Sequence, residues 1–287
     1  MITYNPKDWF TLILKFHKSD TFRILLPSLF FIGVYAAAIV FSEAHFFHIE
    51  TKNPTVMHSI LGFVLSMLLV FRTNSAYDRW WEGRKLWGSF VNNSRNLGLK
   101  LSVLVTDKSD REDLRLLITN YVYSAKNHLR NKYIQDEFIP VGKLELSNFA
   151  DANHKPNLIA KALYAKINEL HQNKILESGH LLILNEELKS FTDNVGACER
   201  IKNTPIPYSY NIFLKKMIFL YIMSLPIFFG SEFGYTTVPV TVIVLYVFAS
   251  IELIAEEIED PFGEDDNDLP LDDICGRIKN NLNEIFN

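Results

Sequence analysis

The sequence predicts an all-α membrane protein whose protomer carries four transmembrane helices and a long helical cytosolic body. Three observations predict it. Four apolar runs carry no charge and approach the length of a bilayer core. The long segment between the second and third runs is polar, with helical periodicity. Strand signals are scarce, and neither an internal repeat nor a low-complexity tract is present. Of 287 residues, 48% are hydrophobic and 22% charged. The mean hydropathy is only +0.05. That average hides two phases, one facing lipid and one facing water.

The elements follow in chain order. Residues 7–18 (KDWFTLILKFHK) place Lys7, Lys15 and Lys18 around Trp9, Phe10, Leu12, Ile13 and Phe16. This pattern predicts an amphipathic segment at the membrane surface. Its apolar core is too short for a signal peptide, and no small-residue cleavage site follows it. Residues 24–42 are uncharged and predict a membrane helix over 22–43, about 28 Å long across the uncharged run at 1.5 Å per residue. Pro27 falls in its first turns, where it does least harm. A second uncharged run predicts a membrane helix over 55–72. Nothing stops that helix, so it extends from about 55 to 104, roughly 75 Å. Third and fourth membrane helices are predicted over 212–231 and 235–255, joined as a tight hairpin. Lys215 and Lys216 anchor its entry by snorkelling, and Pro226 predicts a kink or break. The cytosolic body takes 73–211 and 256–287, with a loop near 139–157.

Charge orients the chain. The short 43–54 connection holds only Lys52 as a cation. Lys15, Lys18 and Arg23 precede the first helix, and Arg72, Arg79, Arg84 and Lys85 follow the second. The positive-inside rule puts both groups in the cytosol, and four crossings return the C-terminus there. Net charge is −4, from 29 basic and 33 acidic residues, and no basic stripe suggests nucleic acid. Cys198 and Cys275 lie in polar sequence surroundings without CxxC pairing. They read as ordinary reduced thiols.

Three patterns carry candidate chemistry. Phe63, Met67 and Phe71 recur at i, i+4 and i+8 beside a stripe of small residues, Gly62 and Ser66. Small residues let membrane helices approach closely. If several copies surround an axis, the bulky stripe lines a constriction that gates by dewetting. As a bare pattern it reads first as ordinary helix packing or lipid contact, since most apolar stripes are that. The stretch 256–273 (EEIEDPFGEDDNDLPLDD) is acidic around a turn marked by Pro261 and Gly263. Such oxygen-rich clusters suit Ca²⁺, although the EF-hand spacing is absent, and a bare acidic run is also a solvated surface. His45 and His48 share the short external loop but lack a third ligand. No GxSxG, P-loop, HExxH or GxGxxG motif occurs, and no convergent set of nucleophile and base points to an enzyme.

Together, FRTNSAYDRWWEGRKLWG at 71–88, GACERIKNTPIPYSY at 196–210 and EIEDPFGEDDNDLPLD at 257–272 resemble the bestrophin family, in particular its bacterial branch. The resemblance covers essentially the whole chain as a single domain, 1–287. It implies a homopentamer around a central ion pathway in the bacterial inner membrane, with both termini cytosolic. It places the family's apolar neck on Phe63, Met67 and Phe71, and a second cytosolic aperture near 178–184, at Leu181. In animal members a calcium clasp follows the last membrane helix. Matched motif to motif, Asp265 and Asp268 become side-chain ligands, with Glu257 and Asp260 as further contributors. An N-terminal backbone carbonyl completes the clasp. Glu257 and Asp260 stand where amides are usual, and Asn267 interrupts the acidic run. The implied activity is passage of small inorganic ions, chloride by resemblance. Five copies would carry about −20, which leaves a Na⁺/K⁺-conducting channel of the same fold open. A secondary transporter would need ionisable residues in mid-membrane, where the uncharged runs hold only His58, near one end. A membrane scaffold without conduction is a further alternative.

Overall fold

The computed structural model of the chain describes residues 20–46, 54–132, 134–142 and 152–287. The surface segment 7–18, His48, Lys52 and the N-terminal carbonyl of the clasp lie outside them. The described residues form eight α-helices and no strand: α1 (Asp20–His45), α2 (Pro54–Leu104), α3 (Lys108–Leu129), α4 (Lys155–Gln172), α5 (Ser178–Asn203), α6 (Tyr208–Phe233), α7 (Thr237–Glu259) and α8 (Leu271–Phe286). Single turns of 3₁₀-helix occur at Gln135–Glu137 and Gly234–Thr236. Three stretches are long and apolar enough to cross a membrane, by length and composition: Thr21–His45, Thr55–Leu104 and Tyr208–Glu259. The third is two helices, because the chain breaks at Gly234 between α6 and α7. Gly234 has φ +56°, a region glycine enters without a Cβ penalty. Pro226 breaks nothing: α6 runs on through it.

The chain divides into two units, one of residues 80–204 and 260–287 and the other of residues up to 79 and 205–259. In the second unit, α1 packs on α6 and α7, and α6 packs on α7. Their shared core is Leu25, Leu29, Leu214, Ile218, Ile222, Leu225 and Leu245, together with Leu65 and Leu69 of α2. Gly62 permits close approach there. A Cβ on Gly62 would meet the Tyr221 hydroxyl at 2.8 Å.

In the first unit, α3 packs on α4, α5 and α8, and α4 packs on α5. Asp107 caps α3 by accepting the amide N–H groups of Ser109 and Asp110. The final helix is amphipathic. Leu271, Ile274, Cys275, Ile278, Leu282 and Phe286 recur every three or four residues, and all are buried. Trp87, Phe90, Leu97 and Leu101 of α2 enter the same core. The cysteines correct the reading from sequence. Cys198 and Cys275 are both fully buried in this core, not in polar surroundings. Their polar sequence neighbours point away because each helix turns about 100° per residue. Burial pushes the Cys198 thiol up to about 12, which makes it inert.

Candidate functional site

The first part of α2 has two faces of opposite character. His58, Leu65, Leu69, Arg72 and Ala76 are buried. Phe63 is 71% exposed, Met67 51% and Phe71 53%. Setting Phe63 at zero and turning about 100° per residue, the bulky stripe spans roughly 0–80°. On the same scale the buried set centres near roughly 180–240°. The stripe therefore points directly away from the unit's own core. Gly62 lies at the edge of the packed face, against Tyr221, and the Ser66 hydroxyl donates to the Gly62 carbonyl at 2.7 Å. Apolar surface on this scale on a helix is covered by lipid, by another copy, or by neither in a dewetted pore. Below Phe71 the exposed face turns polar, at Asn74 and Asp78.

Arg72 fixes the rotation of this helix. Its guanidinium is 1% exposed, donates to Glu259 at 2.6 Å and lies 3.6 Å from Glu252. The second Glu259 oxygen accepts the Ile206 N–H at 2.6 Å, and the Glu259 carbonyl accepts from Arg79 at 3.0 Å. One carboxylate thus ties α2, α7 and the start of α6 into a single network. A buried guanidinium is tolerable only with such partners. Rotating α2 would break the network, so the network also holds the direction of Phe63, Met67 and Phe71. In the sequence Arg72 reads only as one of the cations that orient the chain.

The other candidate positions fall on different elements of the two units. Leu181 packs partly buried against the core of its unit, whereas the adjacent Leu182 is 78% exposed. Glu257 belongs to α7, and Asp260, Asp265 and Asp268 to the other unit. Asp265 is exposed and Asp268 is buried. The Asp268 carboxylate accepts the Asp265 N–H at 2.7 Å, which closes the turn. A cleft of about 340 Å³ opens there, lined by Gly263, Glu264, Asp265, Asp268, Asp272 and Arg130, among others. Cations of the same unit occupy much of its charge. Arg130 and Lys126 each bond Asp272 at 2.7 Å, and Lys132 pairs with Glu264. Burial alone would raise the Asp272 carboxyl, but its bonds from Lys126 and Arg130 hold it below the usual range. The donors suit calcium in kind, yet no three of them converge. Among the described residues, the group of three His, Cys, Asp or Glu donor atoms lying within 4.8 Å of one another is His128, His154 and Glu199. Their separation in sequence, across three helices, leaves no motif to find. His45 turns one ring nitrogen toward the Phe41 carbonyl of its own helix, at 2.9 Å.

Comparison with known proteins places this geometry. The profile of the family described as Bacterial/Fungal Bestrophin protein matches residues 1–284. A voltage-dependent anion channel-forming protein of Nostoc is 39% identical over 244 residues, covering 83% of this chain and 79% of its own. Its counterpart YneE of Escherichia coli K12 is 30% identical over 287 residues, covering 98% and 93%. A crystal structure of a variant bacterial bestrophin homolog from Klebsiella pneumoniae superposes with TM-score 0.84 at 25% identity, covering 91% of this chain and 98% of that one.

Proposed function

The chain belongs to the bacterial/fungal bestrophin family, and from that premise we propose that it forms an oligomeric channel passing small inorganic ions, anions first, through a central pore with a hydrophobic neck. The observation that carries the proposal is the Phe63, Met67 and Phe71 stripe, exposed on the face of α2 opposite its core. A homopentamer would turn five such stripes toward one axis. Bulky apolar rings there hold off water until the pathway widens, which is gating without a charged gate. Anion passage is supported by the names of the Nostoc and Escherichia coli relatives. Aromatic edges, which carry the positive end of the ring quadrupole, favour the same sign weakly. The second reading, a cation-conducting channel of the same fold, is favoured by the net charge of −4 per chain.

In this proposal the protein lies in the bacterial inner membrane. It spans it four times, over 22–43, 55–72, 212–231 and 235–255, with both termini cytosolic. The first turns of α5 supply the cytosolic aperture. There Leu182 and Ile183 reach solvent, and Leu181 backs them from the core side. The test is the reversal potential of the purified protein in planar bilayers under a KCl gradient. A potential near that of chloride supports anion passage, one near that of potassium supports the second reading, and electrical silence refutes both.

Calcium is a separate proposal, limited to Asp265 and Asp268 within one unit, with Asp260 of the same unit as a further contributor. The hard oxygen donors of the turn support it. Lys126, Arg130 and Lys132 neutralise neighbouring carboxylates and so weaken the field a Ca²⁺ would meet. Calorimetric Ca²⁺ titration of the intact protein, with Asp265→Asn and Asp268→Asn, decides. Heat of binding lost in both variants supports the site, and no binding at millimolar Ca²⁺ refutes it.

A further inference from the structure

We infer that His128, His154 and Glu199 form a binding site for a divalent transition metal of the Zn²⁺ type. The three residues sit on three different helices of one unit. His128 occupies the last turn of α3, His154 is the residue that caps α4, and Glu199 lies near the end of α5. One carboxylate oxygen, Glu199 Oε1, is 2.6 Å from His128 Nε2 and 2.9 Å from His154 Nε2. The two rings are tilted at 38° with centroids 4.5 Å apart. Side-chain exposures of 26%, 31% and 27% let an ion reach the donors while protein covers most of their surface.

The donor set selects the metal class. Two imidazoles and one carboxylate suit Zn²⁺ and its neighbours, whereas Ca²⁺ and Mg²⁺ want oxygen alone. Two nitrogens and one oxygen leave a fourth tetrahedral position to water. Bonds of about 2.0–2.1 Å imply donor atoms roughly 3.3 Å apart, so the Glu199 oxygen must draw back from each imidazole by about half an ångström. Their partial exposure permits that.

The metal-free state has its own arrangement. His154 Nδ1 accepts the Asn157 N–H at 3.1 Å, which places the His154 proton on Nε2, donating to Glu199. Metal binding at Nε2 requires that proton to leave and another to be taken up from solvent at Nδ1. The ring stays neutral, and the cap bond from Asn157 is exchanged for the metal bond. A bound metal would join residues 128 and 154 across the connection between α3 and α4 and fasten both to α5. Because the three donors meet only in the folded chain, a bound metal would also raise stability by mass action.

The test uses the full chain in detergent, stripped with EDTA and titrated with Co²⁺ and then Zn²⁺. The expected result is one metal per chain, with visible Co²⁺ bands of tetrahedral intensity that Zn²⁺ displaces. His128→Ala, His154→Ala and Glu199→Gln should each weaken binding at least about tenfold. His171→Ala should leave binding unchanged, because the His171 ring bonds the Leu176 carbonyl elsewhere in the unit. Amide exchange at Asn157 should quicken on Zn²⁺ addition in the unmodified chain, a readout that needs no variant to fold. No saturable binding, or binding untouched by all three variants, would overturn the site.

Discussion

The two ends of α2 spend the same kind of residue in opposite ways. Near its start, Phe63, Met67 and Phe71 face away from the core at 51–71% exposure. Farther along, Trp87, Phe90, Leu97 and Leu101 are fully buried among α3, α5 and α8. The period is helical in both halves, so periodicity alone cannot separate them. What separates them is what lies on the opposite face. Arg72, Leu65 and Leu69 hold the first half's packed side, which leaves its bulkiest stripe exposed among the described residues. Bulk at helical spacing thus marks a core in one half and an exposed apolar face in the other.

The largest effects should come from the buried side. Trp87→Ala should cost about 3–5 kcal/mol in denaturant unfolding of the purified protein. Phe63→Ala should stay within about 0.5 kcal/mol, as an exposed substitution does. Equal costs would erase the distinction between the halves. Arg72→Met comes next. It leaves Glu259 buried without its cation and Glu252 with only Lys215, at 3.9 Å, a loss of about 3–5 kcal/mol. A full-strength melting temperature in that variant would mean the network does not hold α2. Gly62→Val should cost about 1–3 kcal/mol by driving a side chain into Tyr221, while the adjacent exposed Leu61→Val should not.

The smallest effect sharpens the contrast from the polar side. The Asp272 carboxyl is held below its ordinary 3.8 by Lys126 and Arg130. On acidification the unfolded chain takes up that proton first. The stabilisation is therefore complete above about pH 4 and lost as pH falls through the lower folded value. Asp272→Asn should lower stability at pH 7, and the gap from the unmodified chain should shrink toward pH 3. A constant gap would show that the ion pair contributes nothing.

Much of this architecture was legible beforehand because hydrophobic runs and helical period are local. The long α2, the break at Gly234 and the loop around Pro261 each left a signal in a short window. The stripe of Phe63, Met67 and Phe71 was visible as a pattern, but its direction was not. That direction depends on Arg72 meeting Glu252 and Glu259, some 180 residues away in sequence. The buried cysteines were misread for a related reason. Neighbours in sequence do not share a face of a helix. The His128, His154 and Glu199 cluster left no trace, since only tertiary packing brings three helices to one point.

We propose that the exposed stripe of α2 lines the pore. Single-channel recording of the Phe63→Ala, Met67→Ala, Phe71→Ala triple variant beside the unmodified protein tests it most directly. Discrete currents are expected in both, with larger conductance or longer openings in the variant, because smaller side chains widen and wet the constriction. Currents of unchanged size and duration in a folded, oligomeric variant would place the stripe against lipid or a neighbouring copy, and the neck elsewhere.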